Sequence, residues 1–337
     1  MKSLPTKADA RGASFTVADF IKAGGERLRL SVVAGEGSLG RTIEEPLLNR
    51  PGLALSGFYE YFAWRRLQLI GRGELAYLRS LDVATRISRI REMLGRKAFC
   101  FIFSNGHEPS REVVELVEGS GGIILSTPLK TRVFANQATF VLERLAAPST
   151  TIYGTMVEVA GIGVLFEGDP GLGKSETALG LVKRGAALVA DDLTCVRKDV
   201  GNNVLYGSAS DSTAGYMEIR GIGIVHIPSI FGVNAVREEK RVQLVITFKL
   251  LDDVRGEIDR IGQKRRFRTI LGVEVPHVVI PVSEGRELVN LVETAVQQQK
   301  LVYAGHHPVA DLSKRLRRRA ARNGENLTTR RREKDNG

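Results

Sequence analysis

Cysteine is scarce in this chain, and long apolar runs are absent. The 337 residues include two cysteines, Cys100 and Cys195, which lie far apart in apolar or near-apolar contexts. Because neither a metal-binding spacing nor a disulfide framework is present, we expect both to be reduced structural residues. The first twelve residues lack the apolar segment of a signal peptide, and no run approaches the roughly 18 apolar residues of a membrane span. We therefore expect a soluble, cytoplasmic protein.

The net charge of +11 is concentrated near the C-terminus. Residues 311–337 contain ten Lys or Arg against four Asp or Glu, so this tail alone carries +6. It contains no aromatic residue of the kind that stacks on bases in single-strand binders. A solvated helix end that continues into a disordered tail is therefore favoured over the alternative, nucleic-acid binding.

The order of predicted elements indicates an α/β protein with two domains. The length and the 43% hydrophobic content are sufficient for two cores. Apolar runs at 98–103 and 121–125 alternate with helical patterns at 73–94, 110–118 and 129–145, an order typical of parallel strands joined by helices. We predict an N-terminal α/β domain over residues 1–147, a second domain over 151–310, and the basic helix end and tail over 311–337.

The most specific motif is a G-x4-G-K-S phosphate-binding loop. It lies between an apolar run at 163–167 and a helical pattern at 176–184, which is the context that such a loop requires. Its glycines allow the backbone to approach a polyphosphate, while the lysine can reach the outer phosphates and the serine can ligate Mg2+. The alternative is a glycine-rich turn with a surface lysine. We predict a site for a nucleoside triphosphate and magnesium formed by Gly168, Asp169, Pro170, Gly171, Leu172, Gly173, Lys174 and Ser175.

An acidic pair, Asp191-Asp192, follows the next predicted strand at 186–190. Ligands of open α/β sheets bind beyond the carboxyl ends of the strands, so this pair is expected to face the nucleotide. One carboxylate can hold magnesium through water while another accepts a proton from a hydroxyl group. The alternative is a helix cap or a turn, since Asp is common at strand ends.

A second polar cluster is centred on Glu218 and Arg220. In an extended segment these two side chains point to the same side, and Gly221 and Gly223 permit close backbone approach. A structural ion pair before a β-turn is the alternative. The nearby His226 is by itself more typical of a packed or surface histidine than of a ligand.

Taken in order, these motifs resemble the HPr kinase/phosphorylases, bacterial enzymes that phosphorylate a serine of the phosphocarrier protein HPr. The resemblance covers about residues 40–310 and would make the second domain a P-loop kinase domain with a Walker A loop. It implies ATP-dependent phosphorylation of HPr and the reverse phosphorolysis, in which phosphate removes the phosphoryl group as pyrophosphate. The matching segments are G-D-x-G-x-G-K-S-E (168–176), L-V-A-D-D (188–192), E-I-R-G-I-G-I (218–224), D-R-I-G (259–262), and residues 49–57 and 66–71.

The resemblance also implies roles for individual residues. Residues 168–175 would bind the ATP phosphates, with Lys174 neutralising charge on the transferring group. Ser175 and Glu218 would hold Mg2+, and Asp191 would support the same metal site.

Proton transfer and charge stabilisation are implied for two further residues. Asp192 would take the proton of the attacking serine and return it in the reverse reaction, and Arg260 would stabilise charge on the phosphoryl group. The resemblance further implies a homo-hexamer and a C-terminal helix that contacts HPr, for which residues 288–298 and 309–318 are the helical candidates.

Several residues depart from the family pattern. Tyr153 occupies the position of a catalytic histidine, and a phenol with a pKa near 10 does not replace imidazole at neutral pH without a large shift. Pro170 replaces a loop serine and removes one N–H group. His226 replaces an asparagine or aspartate, while Ser283 and Glu284 replace a basic residue and a proline. We expect kinase activity with weak or altered phosphorolysis; the alternatives are a kinase of another acceptor and a non-catalytic nucleotide sensor.

Overall fold

The chain divides into two compact units between Pro148 and Ser149. The computed structural model describes residues 14–199, 201–210, 212–254, 266–283, 285–308, 311–312 and 314–315. Arg260, Glu284 and most of the predicted helix end and tail over 311–337 lie outside these residues. Each unit combines helices with a sheet, which confirms the predicted α/β class.

The N-terminal unit is built on a five-stranded sheet in the order β1-β5-β4-β3-β2. Strands β2 to β5 are parallel, as predicted, and β1 pairs with β5 in the antiparallel direction. Its elements are α1 (Val17–Leu28), β1 (Ser31–Ala34), β2 (Leu48–Asn49), α2 (Gly52–Ser56), β3 (Leu67–Ile70), α3 (Arg72–Ser80), α4 (Val83–Gly95), β4 (Cys100–Phe103), α5 (Arg111–Gly119), β5 (Ile123–Ser126) and α6 (Thr131–Ala146).

Both faces of this sheet are covered. Every residue of β4 is buried, and alternate side chains enter different cores: Ile102 packs in one cluster, whereas Phe101 and Phe103 pack in the other. This explains the continuous apolar run in the sequence, since a strand covered on both faces has no polar side.

The helix predicted at 73–94 is two helices. α3 ends at Ser80 and α4 begins at Val83, because Leu81 and Asp82 adopt extended backbone angles. The Asp82 carboxylate accepts a hydrogen bond from the Thr85 amide at 2.9 Å and caps the second helix. The prediction was therefore wrong about continuity and right about helical content.

The C-terminal unit contains a six-stranded sheet in the order β16-β17-β15-β8-β7-β9, a four-stranded sheet in the order β14-β11-β10-β6, and the β12-β13 hairpin. Its elements are β6 (Ser149–Tyr153), β7 (Thr155–Val159), β8 (Ile162–Glu167), α7 (Lys174–Lys183), β9 (Ala187–Ala190), β10 (Leu193–Asp199), β11 (Val204–Ser208), β12 (Tyr216–Ile219), β13 (Gly223–His226), α8 (Ile227–Phe231), β14 (Glu239–Arg241), β15 (Leu244–Leu250), α9 (Leu251–Val254), β16 (Arg266–Ile270), β17 (Val273–Val282) and α10 (Leu288–Tyr303).

The direction of two strands places the candidate site. β7 is antiparallel to both β8 and β9, so β8 and β9 run in the same direction and end at the same edge of the sheet. Helices α7 and α10 pack against the sheet through Leu181 and Val292, which are buried in the main core of the unit. None of the helices in the described part of the chain has the length and apolarity needed to cross a membrane.

Candidate active site

The loop between β8 and α7 has an unusual backbone. Gly168, Gly171 and Gly173 have φ angles of 140°, 90° and 83°, which L residues rarely adopt. A Cβ atom on Gly168 would also lie 2.6 Å from the carbonyl oxygen of Phe248. These glycines are therefore required by the shape of the loop.

Helix α7 begins at Lys174 with no side-chain cap at Gly173. The amide groups of its first turn have no acceptor within the helix, as at every helix N-terminus, and the helix dipole places partial positive charge there. The Lys174 ammonium donates hydrogen bonds to the carbonyl oxygens of Gly168 at 2.8 Å and Asp169 at 3.1 Å, so a full positive charge lies beside the same loop. The donors present fit a bound polyphosphate.

Asp191 connects three elements around this loop. One carboxylate oxygen, Oδ1, accepts hydrogen bonds from the Ser175 hydroxyl at 2.9 Å and the Thr155 hydroxyl at 2.8 Å. The other oxygen accepts a bond from the Glu218 amide at 3.2 Å. The residue is only 8% exposed. One buried carboxylate thus ties α7, β7 and the β12-β13 hairpin together.

Burial is the main influence on this carboxyl group. It raises the pKa of Asp191, and the neighbouring charge of Asp192 acts in the same direction. The hydrogen bonds from Thr155, Ser175 and the Glu218 amide oppose the rise without cancelling it. The ligand-free site therefore disfavours the negative charge of Asp191.

Asp192 is exposed and follows directly. Its φ of 57° lies in the left-handed region, which Asp tolerates better than most residues. The backbone is held in place because the Asp192 carbonyl accepts a hydrogen bond from the Gly154 amide at 2.8 Å. The acidic pair does form a turn between β9 and β10. Its two side chains have different environments, since Asp191 is buried beside hydroxyl groups and Asp192 faces solvent.

Tyr153 lies at the same junction. It is the last residue of β6 and pairs with Leu193, the residue after Asp192. Its side chain is 79% exposed. The phenol and the Asp192 carboxylate therefore both reach solvent at this edge of the unit.

The β12-β13 hairpin brings the second polar cluster to the loop. Glu218 is exposed, and its backbone amide is anchored on Asp191. A Cβ atom on Gly171 would lie 3.4 Å from a guanidinium nitrogen of Arg220, so this cation lies beside the phosphate loop. Among the ion pairs of the described residues there is none between Glu218 and Arg220. The sequence allowed two interpretations of Arg220, a structural ion pair with Glu218 or part of a functional cluster, and its position beside the loop favours the second.

His226 is held by local contacts. Its Nδ1 atom lies 2.6 Å from the Ser229 hydroxyl, and its ring packs on Tyr216 with centroids 4.6 Å apart. These contacts match the packed-histidine interpretation.

A further polar group at the end of β8 escaped the sequence analysis. Glu167, immediately before the loop, forms an ion pair with Arg268 of β16 at 3.3 Å. Nearby, the Thr247 hydroxyl lies 2.8 Å from Nε2 of His277. Burial lowers the pKa of His277, and the charges of Arg268, Arg266 and Lys249 add to this effect. In the sequence, this cluster of positive charge was indicated only by Arg266 and Arg268, which occupy alternate positions of the edge strand β16.

The oxygen donors fit a magnesium ion that is carried by a nucleotide. Among the residues that the structure describes, no three His, Cys, Asp or Glu side chains form a group that could hold a metal alone. Mg2+ in nucleotide sites usually takes only one or two protein carboxylates and fills its shell with phosphate oxygens and water. The Ser175 hydroxyl, the Asp191 carboxylate and the anchored Glu218 segment converge beside the first turn of α7.

Comparisons with known proteins match both units. The family model described as HPr Serine kinase N terminus matches residues 15–142, and the model described as HPr Serine kinase C-terminal domain matches residues 144–316. The HPr kinase/phosphorylase of Leptospira biflexa serovar Patoc is 39% identical over 290 residues, which is 86% of this chain and 90% of that protein. The HPr kinase/phosphorylase of Treponema pallidum (strain Nichols) is 40% identical over 281 residues, or 83% of this chain and 88% of that protein. A solved structure, the HPr(Ser) kinase/phosphatase from Coxiella burnetii, covers 50% of this chain and 98% of its own at 34% identity, with a TM-score of 0.44.

Proposed function

The chain belongs to the HPr serine kinase family, and on that basis we propose that it is an ATP-dependent protein-serine kinase of the phosphocarrier HPr. We include in the proposal the reverse reaction, phosphorolysis of phosphoserine-HPr by phosphate to give pyrophosphate. The observation that carries it is the Asp191 carboxylate, which joins Ser175 of the phosphate loop to the Glu218 hairpin immediately beside the exposed Asp192.

Phosphate binding is assigned to residues 168–175. The first-turn amide groups of α7 would donate hydrogen bonds to the phosphates, and the Lys174 ammonium would leave the loop carbonyls to bind the outer phosphate oxygens. Ser175 and Glu218 would hold Mg2+, with Asp191 supporting that site. Bound in this way, Mg2+ would neutralise charge on the β- and γ-phosphates during transfer.

Asp192 is assigned as the general base. Its carboxylate would accept the proton of the HPr serine as the serine oxygen bonds to the γ-phosphorus and the bond from this phosphorus to the bridging oxygen breaks, releasing ADP. In the reverse reaction Asp192 would return the proton to the serine oxygen as phosphate attacks. Arg260, which lies outside the described residues, completes the proposal as the cation that stabilises the phosphoryl group.

A protein acceptor is supported by apolar side chains next to the site. Ile222 and Ile224 of the hairpin are 74% and 78% exposed. Ile224 is the cross-strand partner of Glu218, so both side chains project from the same face. Exposed apolar side chains beside a polar site are typical of protein docking surfaces, and a small metabolite would gain little from them.

The test of this function is a two-step assay on the purified chain. HPr is incubated with the chain, Mg2+ and ATP, and phosphoserine is measured by intact mass; ATP is then removed and excess phosphate is added. HPr with alanine at its acceptor serine is the matched control. Phosphoserine that forms on HPr and is then lost with release of pyrophosphate supports both directions of the reaction. Phosphoserine that forms and persists limits the proposal to the kinase. If no phosphoserine forms on HPr, the kinase proposal is refuted.

Assembly and location belong to the same proposal. We infer a homo-hexamer that acts in the cytoplasm, where ATP and HPr are available. Light scattering of the purified chain measures the assembly, and a monomer at working concentration would contradict it.

Ile222→Arg should raise KM for HPr about tenfold or more, because it places a charge in an apolar docking surface. KM for ATP should stay within about twofold, since Ile222 is 74% exposed in the turn between β12 and β13 and is not the cross-strand partner of Glu218. Steady-state kinetics with each substrate varied provide the measurement. Leu53→Arg, which changes a side chain that is 69% exposed in the N-terminal unit, is the matched control. Equal KM values for HPr in both variants would count against this docking surface.

Tyr153→His should raise the rate of phosphorolysis relative to phosphorylation by about tenfold or more. Imidazole exchanges protons near neutral pH, whereas a phenol does not. The side chain is exposed, so the exchange leaves the core unchanged. Both rates are measured with the two-step assay, and Tyr153→Phe is the control. An unchanged ratio in the histidine variant would show that Tyr153 does not limit the reverse reaction.

A further inference from the structure

The N-terminal unit contains a cavity of its own, with a volume of about 460 Å³. Three basic residues line it, Arg41, Arg65 and Lys97, together with one acidic residue, Glu44. Glu44 binds Arg65 at 3.0 Å. Within the ranges that the structure describes, neither Arg41 nor Lys97 has a carboxylate partner within ion-pair distance. The side chains that line the cavity therefore carry a net positive charge.

Aromatic rings hold these cations in place. The Arg65 guanidinium lies 4.4 Å and the Lys97 ammonium 5.8 Å from the centroid of the Trp64 ring. The Arg41 guanidinium lies 4.8 Å from the centroid of Phe99 and donates a hydrogen bond to the Gly121 carbonyl at 3.1 Å. Trp64 and Phe99 both line the cavity. Cations fixed in this way lose less conformational entropy when an anion binds.

Lys97 occupies a position that normally requires glycine. It follows α4 with a φ of 72°, and its amide donates to the Leu94 carbonyl at 2.8 Å while the next amide, of Ala98, donates to Met93 at 3.1 Å. This is the Schellman arrangement, whose left-handed residue is usually glycine. A lysine here is strained, so its presence is explained more readily by what its ammonium binds than by the turn.

We propose that this cavity binds a small molecule carrying two or more phosphate or carboxylate groups. Its excess of positive charge matches such a ligand, and its volume falls within the range of small-molecule sites. The site is distinct from the phosphate loop, since all of its residues belong to the N-terminal unit.

The test uses the fluorescence of Trp64, the single tryptophan of the chain. The full-length protein is titrated with pyrophosphate, with citrate, and with sodium chloride at matched ionic strength. We expect a saturable change with at least one of the two anions and none with chloride. A response to pyrophosphate alone identifies phosphate ligands, and a response to citrate alone identifies carboxylate ligands.

Lys97→Gly separates binding from folding. It removes one cation and also relieves the left-handed strain, so we expect Kd to rise about tenfold while the melting temperature increases. Lys130→Ala, which removes an exposed cation of the same unit away from the cavity, should leave Kd unchanged. Arg41→Gln provides a second removal of charge and should also weaken binding. The proposal is overturned if neither anion changes the fluorescence, if both cavity variants bind as the wild type does, or if Lys174→Ala abolishes the response.

Discussion

Asp192→Asn is expected to lower kcat for HPr phosphorylation roughly 10²- to 10⁴-fold, the contribution that general base catalysis usually makes. The exchange is nearly isosteric and removes the ionised carboxylate that accepts the serine proton. Asn tolerates the left-handed region about as well as Asp does, so the φ of 57° adds no new strain. The Gly154 amide still binds the backbone carbonyl of residue 192, so the turn is kept.

Single-turnover phosphorylation, followed by intact mass across a range of pH, measures this effect. The melting temperature and the affinity for Mg2+ and ATP should remain close to those of the wild type. If the variant keeps a near-normal rate, the proton acceptor lies elsewhere, and the role assigned to Asp192 is wrong.

The parts of the site that were predictable from sequence are those encoded by contiguous residues. The phosphate loop is specified by glycines and a lysine within eight positions, and its strand and helix follow from the flanking patterns. Asp191 and Asp192 were placed at the loop because both follow a buried strand. That inference depends on β8 and β9 running in the same direction, which holds although the antiparallel β7 lies between them.

The contacts that complete the site join residues distant in sequence. Asp191 binds the Thr155 hydroxyl across 36 positions, and Arg268 binds Glu167 across 101. Neither pairing is fixed by local propensity, since each depends on the order of the strands in the sheet. Likewise, the position of Arg220 beside Gly171 depends on how the hairpin lies over the loop. The break between α3 and α4 was missed because the helical periodicity continues through it. The local feature that indicates the break is Asp82, which caps α4 although no glycine or proline lies at this point.

Asp191→Asn is expected to lower kinase activity by about 100-fold or more while leaving the ligand-free fold intact. Magnesium binding loses a negative charge that supports the site, and the Glu218 amide loses its acceptor, because the asparagine NH2 group that replaces this oxygen is a donor. The asparagine oxygen can still accept the bonds from Ser175 and Thr155. Activity at increasing Mg2+ and the gain in melting temperature on adding Mg2+ and ATP provide the measurements. We expect a smaller gain in the variant.

The sign of the pH dependence supplies an independent check. Because burial raises the folded-state pKa of Asp191 above its unfolded value of about 3.9, protonation favours the folded state. The contribution of this group to stability is therefore complete below the unfolded pKa and is lost as pH rises through the folded pKa. Asp191→Asn should remove that loss. As pH rises from 4 towards neutrality, the Tm of the ligand-free variant should therefore fall less than that of the wild type, by on the order of a few degrees.

Asp199→Asn serves as the opposing control. Hydrogen bonds from the Asn202 side chain and amide lower the pKa of Asp199, so its stabilising contribution is present above the unfolded pKa and is lost as pH falls. This variant of a partly exposed residue should show a small change of opposite sign and unchanged kinase activity. If Asp191→Asn and Asp199→Asn shifted the pH dependence of Tm in the same direction, the buried carboxylate would not be the group that the ligand-free site disfavours. Activity retained by Asp191→Asn at low Mg2+ would separately exclude it from supporting the metal.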